Sequence, residues 1–91
     1  MKLLTILSLT TAASAWTFTF SGGVRDGKGN KGCTGITHSK GQTFEWDRAF
    51  LSDCCIHLYD DNHCGNEVGF SCSDWKKTSS RDLYSFKVTN C

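Results

Sequence analysis

The chain has 91 residues, no proline and one methionine. Without proline, turns must be made by glycine, asparagine, aspartate and serine. No long apolar run occurs. The richest stretch, Leu3 to Leu9, is interrupted by Thr5 and Ser8. That is far short of the roughly 20 residues a spanning helix needs, so no membrane span is expected. Charge of one sign is not in excess either, with 10 basic and 9 acidic side chains. This balance argues against a strongly basic nucleic-acid binder and against a cationic membrane-lytic peptide. Nucleic acid is not expected as a partner. Helical periodicity is absent over any 10 residues, and no internal repeat stands out.

What is present begins with residues 1–15. Lys2, the short apolar core and Ala13-Ser14-Ala15 have the layout of a secretory signal. Its loss leaves 76 residues from Trp16 onward, with 9 basic and 9 acidic groups and all 6 cysteines. The expectation is a secreted, extracellular protein with one cysteine-rich β domain over residues 16–91. That span holds only eight Val, Ile and Leu. Small secreted domains with so little core usually depend on disulfides. Cys33, Cys54, Cys55, Cys64, Cys72 and Cys91 therefore read as three bridges. Of the 15 pairings, excluding a bond between neighbours Cys54 and Cys55 leaves twelve. Successive strand side chains point to opposite faces. Cys54 shares parity with Ile56 and Leu58 and is expected to face the core, while Cys55 goes with His57 and Tyr59. Cys55–Cys64 is the favoured local staple across the turn at Asp60, Asp61 and Asn62.

Trp16-Thr17-Phe18-Thr19-Phe20-Ser21 alternates strictly and predicts a strand. Thr43–Trp46, Cys54–Tyr59, Val68–Cys72 and Leu83–Thr89 predict others, with Gly69 as a bulge and Tyr84, Phe86 and Val88 on one face. Ile36-Thr37-His38 adds a short one. Gly22–Gly35, with six glycines, reads as a long surface loop. Ser73–Arg81 reads as a polar loop anchored by Trp75. Asp47 is placed to cap one helical turn through Leu51. Five or six short strands predict an all-β fold, a small disulfide-stapled antiparallel β-sandwich or barrel.

Candidate chemistry is sparse. His57 and His63 are six apart, and neither C-x₂-C nor H-x₃-H occurs. The Asp26–Asn30 segment has Lys28 at a calcium-ligand position and lacks the closing Glu. Gly22–Lys28 matches G-x-x-x-x-G-K, but Gly29 replaces the magnesium-binding hydroxyl. No metal or other cofactor is expected. His38, Glu45 and Arg48 offer a base, an acid and a phosphate clamp of ribonuclease type if Thr43–Trp46 pairs with Ile36–His38. The preferred reading makes His38 a turn residue and Glu45 and Arg48 a solvated strand edge, with no catalytic residue.

Two basic segments are the preferred binding surfaces. One carries Arg25, Lys28 and Lys31. The other carries Trp75, Lys76, Lys77 and Arg81. An exposed tryptophan, Trp75 first, would also suit a carbohydrate.

Cys55-x-His57-Leu58-Tyr59-Asp60-Asp61-x-x-Cys64, Leu83-Tyr84-Ser85-Phe86-Lys87-Val88 and Cys91 together carry a family likeness. They resemble small secreted cysteine-rich proteins of filamentous fungi, many of them effector candidates or toxin-like. The same stretch is similar to one motif of the βγ-crystallin fold, in which an aromatic strand enters an acidic turn with a glycine. Asp82, Ser85 and Val88 match its later strand. Arg81 and Phe86 replace residues of its calcium signature, so calcium is not implied. The resemblance implies secretion, a β-rich disulfide fold and action without catalysis. The functional expectation is an effector- or toxin-type protein binding a host or competitor cell-surface protein or carbohydrate. The alternatives are a small secreted ribonuclease-like hydrolase and a cell-wall carbohydrate binder.

Overall fold

Alternating aromatics give the first strand its inner face. In the computed structural model, which describes residues 15–48 and 53–91, Trp16, Phe18 and Phe20 are buried, while Thr17 and Thr19 face outward. Eight strands are described: β1 (Trp16–Phe20), β2 (Gly23–Gly27), β3 (Lys31–His38), β4 (Thr43–Arg48), β5 (Cys55–Tyr59), β6 (Glu67–Ser71), β7 (Trp75–Thr78) and β8 (Leu83–Thr89). They form two four-stranded antiparallel sheets, ordered β2-β1-β4-β7 and β3-β8-β5-β6. The third strand of each run of four crosses over. β3 pairs with β8 in the second sheet, and β7 pairs with β4 in the first. This exchange ties the two sheets together through the chain itself.

Aromatic and aliphatic faces meet between the sheets. The first sheet contributes Trp16, Phe18, Phe20, Phe44 and Trp46, and the second contributes Ile36, Ile56, Leu58, Leu83, Phe86 and Val88. The Phe86 ring lies 5.2 Å from Phe18 and 5.9 Å from Trp16, centre to centre. Burying each large side chain is worth roughly 1.5–3 kcal/mol. With few aliphatics in the chain, the tryptophans are needed here. Trp16 and Trp46 are buried, and Trp75 is half-buried against Phe44 at 4.9 Å. Trp75, the tryptophan first expected to be exposed, is thus half-buried instead.

Two segments read as loops are strands. Gly22–Gly35 holds β2 and the first half of β3, and Ser73–Arg81 holds β7. β2 begins after a tight hairpin in which Phe20 faces Gly23. Gly22 there packs so close to the Thr37 carbonyl that a Cβ would collide with it. All three strands lie at sheet edges. An edge strand is ordered by backbone hydrogen bonds to a single neighbour, so it needs less of the apolar alternation that reveals a central strand. Asp47 and Arg48 continue β4 instead of starting a helical turn, and residues 49–52 of that expected turn lie outside the described residues.

The bridges are Cys33–Cys64, Cys54–Cys91 and Cys55–Cys72. Cys54 joins the core beside Ile56 and Leu58, and Cys55 has a different partner, as parity requires. The favoured Cys55–Cys64 bond is wrong because Cys64 lies in the turn at the far end of β5. Antiparallel pairing of Ile56 with Ser71 brings Cys55 beside Cys72 instead. Each cysteine lies in a strand of the second sheet, close to an end of one, or, for Cys64, in the turn joining β5 to β6.

Candidate functional site

Among the sequence-predicted catalytic residues, His38 is buried and fully used. Its Nδ1 accepts the Ser21 backbone N–H at 2.9 Å, so its Nε2 carries the proton donated to the Gln42 carbonyl at 3.0 Å. That tautomer has no lone pair left for a substrate. β4 pairs with β1 and β7, not with β3, so the premise for joining Glu45 to His38 fails. Glu45 instead lies near the Asp47 carboxyl. Burial, Glu45 and Asp74 push the Asp47 carboxyl up. Arg48 meets Asp74 through its backbone N–H at 2.9 Å and its Nε at 3.7 Å.

The binding candidates divide among separate places. Trp75, Lys77 and Arg81 line a small cleft between β6 and β7 with Phe44, Leu58 and Leu83. Its volume of about 40 Å³ admits little more than water. Arg81 is also committed to Asp60 at 3.0 Å. Lys76 stands opposite Glu45 on the other face of the sheet. Lys28 lies in the turn after β2, and Lys31 opens β3.

Arg25 is placed differently. It lines an open groove of about 380 Å³ with Phe20, Ile36, Thr37, Asn62 and Tyr84. Its guanidinium carbon is 5.9 Å from the Phe20 ring centre. Tyr84 is 44% exposed. The groove thus combines an accessible aromatic ring with a cation and an amide, within the usual size range of small-ligand sites. Tyr84 shares strand parity with Phe86 and Val88, which hid its exposure. A register irregularity between Gly35 and His38 near the start of β8 sets this end of the strand apart.

The neighbouring turn is held by hydrogen bonds. Asp61 accepts backbone N–H groups of His63, Gly65 and Asn66 at 2.9–3.1 Å. Ser85 Oγ donates to the Asp61 carbonyl and accepts the Cys64 N–H. The Asn66, Gly65 and His63 N–H donors hold the Asp61 carboxyl below the usual carboxylate range. Asn66 and then Arg81 do the same for Asp60. A depressed folded-state pKa stabilises the fold above the unfolded value of about 4 and loses that contribution as pH falls through the folded value. Replacing Asp61 by Asn is expected to reduce stability at neutral pH and flatten its fall below about pH 4. Urea melts at pH 7 and in that acid range test this, and an unchanged acid slope would refute the assignment.

A constellation absent from the sequence reading lies on the outer face of the second sheet. His57 Nδ1 is 3.0 Å from Glu67 Oε1, and His57 Nε2 is 2.7 Å from Thr89 Oγ1. Phe70, 53% exposed, stacks 4.8 Å from the imidazole. Lys87 pairs with His57 across the strands, and its Nζ is 5.8 Å from the Tyr59 ring centre. Burial, reinforced by Glu67, raises the Tyr59 hydroxyl pKa.

Comparison with protein-family models, curated proteins and solved structures gives no significant match.

Proposed function

We propose that the chain is a secreted, disulfide-stapled β protein of effector or toxin type. In this reading it binds a carbohydrate component of a host or competitor cell surface. The groove carries the reading, because Tyr84 and Arg25 line one concavity of about 380 Å³. A sugar presents apolar C–H faces and hydroxyls. The Tyr84 ring suits the first, and the Arg25 guanidinium and Asn62 amide suit the second.

The signal-like residues 1–15 and three bridges in a short chain support secretion. Two features favour the βγ-crystallin-like resemblance over a generic sandwich. Each run of four strands sends its third strand to the opposite sheet. Ser85, one of the residues that carry that likeness, also fastens the Asp60–Asn66 turn. The cysteine pattern supports the likeness to secreted fungal proteins.

Chitin and β-glucan oligosaccharides are expected to change the intrinsic fluorescence on binding. Tyr84→Ala should weaken that binding at least tenfold, about 1.4 kcal/mol, with little loss of thermal stability because the ring is exposed. No binding by the native protein across such oligosaccharides, or full binding by Tyr84→Ala, would reject the groove.

A further inference from the structure

We propose that Thr89 and His57 form a nucleophile and a general base, with Glu67 as the carboxylate that positions the imidazole, for hydrolysis of small carboxylic esters. This activity is independent of the groove. The protonation pattern supports it. A Glu67 carboxylate can only accept, so neutral His57 must donate from Nδ1. Nε2 is then left with its lone pair toward Thr89 Oγ1, 2.7 Å away. His38 has the opposite tautomer and no lone pair free. Of the two, only His57 is set as a base with a hydroxyl in reach, the arrangement that activates such nucleophiles.

The placement depends on register. His57 lies opposite Lys87 on β8, so Thr89 is its outward diagonal neighbour. On β6 it lies opposite Phe70. Regular pairing would turn Glu67 inward. A register shift between Leu58 and Tyr59 places Glu67 opposite Tyr59 instead, on the outward face. Phe70 beside the imidazole offers an apolar shelf for an aryl or alkyl group. Lys87 is the cation directly across from His57 in the pairing of β5 with β8, and it adds positive charge to this face of the sheet.

In the first step Thr89 Oγ bonds to the ester carbonyl carbon as its proton passes to His57 Nε2. The carbonyl π electrons move to oxygen. Collapse breaks the ester C–O bond, and the leaving alcohol takes the proton from Nε2. Water then attacks the Thr89 ester by the same route in reverse roles. The products are a carboxylic acid, an alcohol and free Thr89.

The test is saturable hydrolysis of p-nitrophenyl acetate by the disulfide-intact protein, with mass mapping after a fluorophosphonate probe. Turnover above buffer and modification at Thr89 are expected. Thr89→Val and His57→Gln should lower the rate by at least about 10²-fold, while Thr89→Ser keeps it. Glu67→Gln should lower the rate and leave probe docking measurable. Thermal melts of each variant separate a lost reaction from a lost fold. Absence of native turnover, or turnover that survives Thr89→Val, overturns the proposal.

Discussion

Replacing Cys54 and Cys91 together by alanine is expected to cost about 4 kcal/mol from loop entropy. The bridge has a sequence separation of 37, the longest of the three. Closing a longer loop removes more freedom from the unfolded chain. Cys54 is also fully buried beside Ile56 and Leu58, so the lost sulfur adds a packing defect. A small domain has a total stability of only roughly 5–15 kcal/mol. The variant should therefore lose a large share of its stability. The Cys55–Cys72 pair, separated by 17, should cost less, about 3 kcal/mol. Denaturant melts of the two double variants measure both losses. Equal and small losses would show that the bridges do not restrict the unfolded chain.

The reason these bridges matter lies in their distribution. The described strands of the first sheet carry no cysteine, and their inner face is aromatic. The second sheet carries a mainly aliphatic face and, together with its β5–β6 turn and the segments flanking its strands, holds all six half-cystines. Full reduction should therefore loosen β3, β5, β6 and β8 first. Tryptophan burial in β1 and β4 would report the event only once the sandwich opens.

Phe86→Ala is expected to destabilise the protein by about 3–5 kcal/mol. Phe86 is fully buried on β8 and touches Phe18 and Trp16 from the opposing sheet. Truncation removes the ring that joins the two faces and leaves a cavity. Flanking rings cannot collapse into it without leaving their own strands. For a domain of this size the melting temperature should fall by at least roughly 12 °C. Thermal unfolding followed by tryptophan fluorescence checks the value. A fall of only a few degrees would mean that Phe86 does not connect the sheets.

The strands at the centre of each sheet follow from local alternation alone. β1, β4, β5 and β8 are the four central strands, and each was legible from its alternation. A central strand has paired backbone on both sides and one face in the core, so its side chains must follow the period of two. The sequence also separated Cys54 from Cys55 by parity alone. Among the edge strands, β6 was legible as Val68–Cys72 and the end of β3 as Ile36–His38, whereas the others were not and were decided by the tertiary structure. β2, β7 and the start of β3 are held by one neighbour's backbone, so glycine and lysine serve there as well as valine would. The tertiary structure also decided the bridge partners, because pairing of β5 with β6 brings Cys55 to Cys72. Likewise, His57, Glu67 and Thr89 are separated by 10 and 22 residues, and no spacing rule links them. Adjacent strands and a single register shift place them within hydrogen-bond reach. A chain states the period of its strands locally, but which strands become neighbours, and in what register, depends on the packing of the whole core.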